Sequence, residues 1–292
     1  MRFALAFLFL LPACVGAPPD VVPVTDSGAT DAKVEANVPD ASGADADAAK
    51  PWDPSQLAGI ALWLDGDGAS PDANSKISTW SDKSGNANDA KQPTPAKAPA
   101  LASTMINGHK AVHFAGSVLV IADKASLQWK KSFVLEAIVR HTKASSVETG
   151  MLYYKPAPAS PFSGPELIVG TGGASAYPLY AALKIDITPG TQVDTSAQAA
   201  PSEDAAHRVR ASWDAVATTL SIQIDKSAAV TKSYPAATGL DATGSDVNVG
   251  QGGSGFFPYT GDIAELVAVA GATVSPADVA QLDAYLDAKY GL

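Results

Sequence analysis

Leu220-Ser221-Ile222-Gln223-Ile224 alternates apolar and polar residues without a break. In an extended chain successive side chains point to opposite faces, so Leu220, Ile222 and Ile224 face a core while Ser221 and Gln223 face water. Related runs stand on both sides of it. Upstream are Ile60–Leu64, Ala111–Phe114, Val118–Ile121, Phe133–Val139 and Arg208–Trp213; downstream are Asp246–Val249 and Ile263–Val269. Gly, Pro, Asn or Asp separate these runs, and no long amphipathic helix interrupts them before the chain's end. Short strands joined by polar turns predict an all-β domain, a sandwich or a barrel. The region from 55 to 292 suits one such domain better than two ordinary ones.

The C-terminal end reads differently. Ser275 stands as N-cap, Pro276 at the first helical position and Asp278 two residues later, close to a capping box. Val279, Leu282 and Leu286 fall on one stripe, Tyr285 and Tyr290 flank it, and Gly291 is a natural stop. One short helix is therefore expected to dock on a sheet.

Before the domain, residues 14–54 are rich in Ala, Asp, Pro and Val, with eight acidic and two basic side chains. Trp52 is their one aromatic residue. Such a composition cannot offset the entropy of ordering, so a disordered acidic tether is expected. Residues 1–13 hold Arg2 and the apolar run Phe3–Leu11, far short of the ~20 residues that span a bilayer. The run has the length of a secretory signal's apolar region.

Cys14 is the only cysteine, so no intramolecular disulfide can form. Leu11-Pro12-Ala13-Cys14 resembles the lipobox of bacterial lipoproteins, with Pro12 a less usual occupant of its slot. That resemblance implies removal of residues 1–13 and lipidation of Cys14. The exported protein would then be held on the cell envelope through lipid. Val15 behind the cysteine is similar to lipoproteins sent to the outer membrane of diderm bacteria.

Two ordered sets of motifs resemble the laminin-G-like, concanavalin A-like lectin domains of secreted bacterial proteins. The first comprises Ala61-Leu62-Trp63-Leu64-Asp65, Trp80–Ala90, Asn107-Gly108 and Ala111–Ser117. The second comprises Arg210–Trp213, Val249-Gly250, Tyr259–Leu266 and the terminal Lys289–Leu292. The resemblance implies a jelly-roll β-sandwich and a lectin-like binding or adhesion module, with carbohydrate as the leading ligand class. A structural or protein-binding envelope domain is the competing reading. Within residues 142–201 the likeness is looser.

Phe256, Phe257 and Tyr259 lie on a Gly-rich stretch and are the candidate sugar-stacking residues. Trp63, Trp80 and Trp213 sit on or beside strands and read as core. Asp65, Asp67 and Asp72 form an oxygen-rich, Gly-rich segment that calcium would suit. Ala69 and the missing twelfth-position Glu depart from the EF-hand pattern, so solvated turn carboxylates are the favoured reading. His109, His113, His141 and His207 lack metal-pair spacing. Glu136, Glu166, Asp186 and Glu265 are isolated on their strands, without the paired spacing of a glycosidase, and no Gly-x-Ser-x-Gly elbow occurs. A non-catalytic domain is expected; the lesser reading is a polysaccharide-cleaving enzyme on the same fold, its cleft assembled from acids on different strands. With 20 basic against 30 acidic residues and a net charge of −10, nucleic acid is an unsuitable partner.

Overall fold

The computed structural model describes residues 51–141, 148–156, 164–171, 179–187, 191–198, 204–237, 240, 244–271 and 274–292. The leader 1–13, Cys14 and the acidic segment as far as residue 50 lie outside the described residues.

The first half of the strands is β1 (Ile60–Asp65), β2 (Thr79–Trp80), β3 (Ala90–Lys91), β4 (Ala100–Leu101), β5 (Val112–Ala115), β6 (Leu119–Ile121), β7 (Ser132–His141) and β8 (Glu148–Tyr154). The second half is β9 (Glu166–Thr171), β10 (Leu179–Ile187), β11 (Thr191–Gln198), β12 (Ala206–Asp214), β13 (Thr219–Ile224), β14 (Val230–Ser233), β15 (Val247–Val249) and β16 (Thr260–Gly271). One helix, α1 (Pro276–Tyr290), follows. These form two antiparallel sheets packed as a jelly-roll β-sandwich. One sheet runs β14-β13-β12-β7-β16-β5-β4, with β1 also paired to β16; the other runs β11-β10-β9-β8-β15-β6-β3-β2.

Every alternating run in the sequence became a strand. In β13, Leu220, Ile222 and Ile224 are buried while the residues between them are half-exposed. The inner faces of both sheets enclose one core around Trp80, Trp213, Phe114, Phe133 and Tyr153. The central strands β7 and β16 are buried on both faces. Their outer face is covered by α1, which builds a second apolar cluster from Trp63, Ile138, Val267, Val269, Leu282, Leu286 and Tyr290.

The helix forms as its caps dictate. The Ser275 hydroxyl accepts from the Asp278 amide at 3.0 Å. Gly291 turns left-handed at φ 68° and its amide bonds the Asp287 carbonyl. The buried stripe is Leu282, Leu286 and Tyr290, rotated one step from expectation, with Val279 only half-buried at its edge. Before β1, the Asp53 carboxylate caps a short 3-10 turn over Pro54–Gln56, and Trp52 meets the Tyr285 ring edge-on at 5.8 Å. Trp52 thus packs with the domain although it precedes residue 55.

In the turn 84–89, Gly85 and Ala87 hold left-handed backbones, at φ 88° and 55°. Asn86 and Asn88 use their side-chain amides, donating to the Ile60 and Ala61 carbonyls at 2.8 and 2.7 Å. They tie the loop to β1.

Candidate functional site

The calcium candidates resolve into structural pairs. Asp65 is buried, and its carboxylate oxygens meet the ammoniums of Lys83 at 2.6 Å and Lys289 at 2.8 Å. Burial opposes ionisation, yet the hydrogen bonds from Lys289 and Lys83 outweigh it and hold this carboxyl below the usual range. Asp67 accepts from the Lys110 amide and from His109 Nδ1, and lies 3.7 Å from Lys289. Asp72 turns to its own loop, accepting from the amides of Asn74 and Lys76 at 2.8 and 2.9 Å. Asp65 and Asp67 share the Lys289 ammonium, and Asp72 points its acceptors at backbone. No metal-sized group of three His, Cys, Asp or Glu side chains occurs among the described residues.

Two acids predicted as isolated, Glu136 and Glu265, come to lie on neighbouring strands beneath α1. Glu265 is fully buried and saturated with donors: Trp63 Nε1 at 2.6 Å, Tyr290 hydroxyl at 2.7 Å and Lys289 Nζ at 2.9 Å. Burial raises its pKa even so, against the opposing charge of Lys289. The charge of Glu265 in turn raises Lys289, overcoming the opposing effect of burial. Glu136 is equally buried, with Arg210 Nε 3.2 Å away but no hydrogen bond to either carboxyl oxygen. Desolvation pushes its pKa up to about 8, partly offset by Arg210 and reinforced by Asp283. Asp283 binds Arg210 at 3.1 Å, and Arg208 reaches Asp287 at 2.9 Å, so both arginines pin the helix. Neither glutamate opens to a cleft.

The three tryptophans are core, at 6% exposure for Trp63, 0% for Trp80 and 1% for Trp213. Tyr259 joins them. It is fully buried, its hydroxyl donates toward the Asp262 and Arg140 carbonyls at 3.2 and 3.3 Å, and its ring lies beside Phe114 and His141. Burial raises its phenol pKa. Tyr259 therefore cannot stack on a ligand, which corrects the sequence expectation. A residue next to a Gly-rich loop can anchor that loop as readily as project from it.

Phe256 and Phe257 do project, at 54% and 44% exposure. Their loop runs from β15 to β16 and is pinned at both ends. The Gly252 amide bonds the Phe256 carbonyl at 2.8 Å, the Met151 amide bonds the Phe257 carbonyl at 2.9 Å, and the Tyr259 amide bonds the Gly250 carbonyl at 2.8 Å. Gly250, at φ 89°, sits so close to Phe114 that an added Cβ would lie 2.2 Å from its ring. Phe257 itself holds φ 47°, a left-handed backbone that bulky side chains avoid. The surrounding hydrogen bonds enforce it, and the strain fixes where the ring points.

Beside this loop lies an open groove of about 310 Å³, lined among others by Lys76, Gln92, Lys97, His113, Ser117 and Gln251. The two features adjoin. A Cβ on Gly255 would meet the Gln251 amide at 3.2 Å, and one on Gly116 would meet Pro258 at 3.6 Å. His113 is half-exposed and donates from Nδ1 to Asp262 at 2.7 Å. The other Asp262 oxygen is clamped by Arg140 Nε and Nη2 at 2.9 and 2.5 Å. The bond to His113 orients the imidazole ring at the groove wall. Asp262 thus orients a histidine. The groove residues come from β5 and several separate segments across residues 76–251, so no local spacing marks them in the sequence.

No protein-family model and no curated protein sequence matches the chain. Solved structures are similar in fold. The binding domain of botulinum neurotoxin serotype G aligns over 78% of this chain and 51% of its own length, with TM-score 0.55 and 10% identity. The serotype C1 binding domain aligns over 80% and 53%, at 0.52 and 10%. A GH54 α-L-arabinofuranosidase aligns over 81% and 60%, at 0.52 and 13%. This chain spans about half the length of those toxin domains, and at such identities the likeness is one of β-sandwich fold.

Proposed function

We propose that this domain is a non-catalytic, lectin-like binding module whose ligand is a carbohydrate. The observation that carries it is the pair Phe256 and Phe257, held out to solvent on a hydrogen-bonded loop at the rim of a polar groove. Sugar rings present apolar C–H faces and a hydroxyl periphery, so they need an aromatic platform beside hydrogen-bonding groups. Phe256 and Phe257 supply the first; His113, Ser117 and Gln251 supply the second. The fold neighbours include two toxin binding domains and an arabinofuranosidase, which supports a binding or glycan-directed role. The buried state of Glu136 and Glu265 beneath α1 supports binding over hydrolysis.

A glycan array run with and without chelator tests the reading, with the Phe256→Ala/Phe257→Ala double variant beside it. Binding by the native chain that the double variant loses is the expected result. Silence on the array, with a protein captured specifically through Phe256 and Phe257, would turn the reading to an envelope-protein partner. Hydrolysis of any polysaccharide presented would restore the enzyme.

We further propose that Cys14 is lipidated after removal of residues 1–13 and that the acidic segment tethers the domain to the envelope, at the outer membrane. Cys14→Ser should move the protein from the membrane fraction to the soluble one; retention on the membrane would overturn the anchor.

A further inference from the structure

The groove beside Phe256 and Phe257 has an unusual charge for this protein. The chain carries a net charge of −10, yet no aspartate or glutamate lines the groove, while Lys76, Lys97 and His113 do. The Lys76 ammonium donates to the Ala98 carbonyl at 3.1 Å, a neutral acceptor that leaves its charge unneutralised. Lys97 is exposed on the short turn Pro95–Lys97. Among the described residues neither lysine has a carboxylate within salt-bridge distance. Several cations elsewhere in the domain are paired: Lys83 and Lys289 with Asp65, Lys155 with Asp123, Arg140 with Asp262, Arg208 with Asp287 and Arg210 with Asp283. The one carboxylate behind His113, Asp262, is already matched by Arg140.

We propose that this groove is an anion subsite and that the ligand is an acidic glycan, one bearing carboxylate or sulfate groups. The inference rests on the carbohydrate reading above and narrows it. Lys76 and Lys97 supply the charge, His113 and Gln251 supply directed hydrogen bonds, and Phe256 and Phe257 hold the adjoining sugar ring. Because the groove is cationic in its own right, recognition needs no bridging calcium. A cationic concavity on an acidic molecule also concentrates anionic ligand locally, in a salt-dependent way.

The test uses the full-length protein and matched pairs of probes that differ in charge alone. Oligogalacturonate and its methyl ester report on carboxylate, and a sulfated galactan and its desulfated form report on sulfate. The charged member of at least one pair should bind about fivefold or more tighter than its neutral partner, the scale of one surface ion pair near 1 kcal/mol. That preference should survive chelator and shrink as sodium chloride rises from about 0.05 M to about 0.5 M. Lys97→Glu, on an exposed side chain, should reverse the preference, and Lys76→Ala/Lys97→Ala should abolish it while neutral-sugar binding persists. Phe256→Ala/Phe257→Ala should weaken both members of a pair alike.

Equal affinity for charged and neutral partners overturns the anion subsite and leaves the lectin reading standing. A charge preference that chelator removes, or that Lys97→Glu leaves intact, overturns the subsite as well. Failure of every probe to bind overturns the inference together with the reading beneath it.

Discussion

The helix-covered face and the loop-and-groove end draw on the same side chains, lysines and aromatics, to opposite ends. Under α1, Lys289 lies 2.8 Å from Asp65 and 2.9 Å from Glu265, and 5.6 and 5.2 Å from the ring centres of Tyr285 and Tyr290. Every charge there has a partner, and every ring is packed. At the groove, Lys76 and Lys97 have no carboxylate partner among the described residues, and Phe256 and Phe257 face water. A closed charge network holds an element in place, whereas an open one is left for something outside the chain. Within the covered face the same contrast recurs at smaller scale: Glu265 accepts three hydrogen bonds and Glu136 none.

The largest effect should come from breaking the closed network. Lys289→Met leaves Asp65 and Glu265 as buried negative charges facing each other, and removing one member of such a cluster costs about 3–5 kcal/mol. Urea unfolding followed by fluorescence reads it directly. Adding Glu265→Gln to that variant should recover part of the loss, since the two positions are coupled. Additive losses would mean that the network contributes nothing as a unit.

Next comes Glu136, where the pH dependence has a definite sign. Its folded pKa, about 8, lies above the ordinary value of 4.5, so the folded chain holds the proton more tightly than the unfolded chain. Its contribution is therefore most favourable below pH ~4.5 and is lost as pH rises toward about 8. Glu136→Gln keeps the neutral shape at every pH. Relative to the native chain it should gain on the order of 3–4 kcal/mol at pH 8 compared with pH 5. Parallel pH profiles for the two proteins would sink the idea that Glu136 is protonated when folded.

Much of this division was legible in the sequence, and the rest was hidden for identifiable reasons. The strands β1, β5, β6, β7, β12, β13, β15 and β16 follow from period-2 alternation, and α1 from Ser275, Pro276 and Gly291. The strands β8 to β11 escaped because Ala, Gly and Thr dilute the alternation there, so pairing sets those strands more than local pattern does. Glu136 and Glu265 looked isolated because each is alone on its strand; only antiparallel pairing of β7 and β16 brings them to neighbouring strands, diagonally placed with Glu136 opposite Val267 and Glu265 opposite Ile138. The groove needed the whole fold to exist. Tyr259 misled because burial is a tertiary property, while Phe256 and Phe257 beside it carry the same sequence mark and stay outside.

The open end rests on the core beneath it, which Gly250→Ala tests. The new methyl would be driven into the Phe114 ring at a backbone angle unsuited to alanine. Overpacking of this kind costs about 1–3 kcal/mol, with strain added. Thermal melting should register the loss, and glycan binding should fall with it because the loop's root has moved. Unchanged melting would show that the loop floats free of Phe114, and the rigid platform would be lost as an argument.

The smallest stability effect should accompany a clear functional one, at Phe257. Half of its ring meets water, and its left-handed backbone is a conformation that asparagine adopts with little strain. Phe257→Asn loses some apolar burial and relieves some strain, two terms of opposite sign, so the unfolding free energy should move by less than about 1 kcal/mol. Ligand affinity, by contrast, should fall about twofold to tenfold, the worth of one aromatic stacking contact. A residue kept for folding would show the reverse pattern, a large drop in stability and an affinity that follows only the folded fraction. Binding measured well below the melting transition separates the two, because there the folded fraction is near unity for both proteins. A strained aromatic whose loss leaves the fold unharmed and the binding impaired is one held outward for a partner.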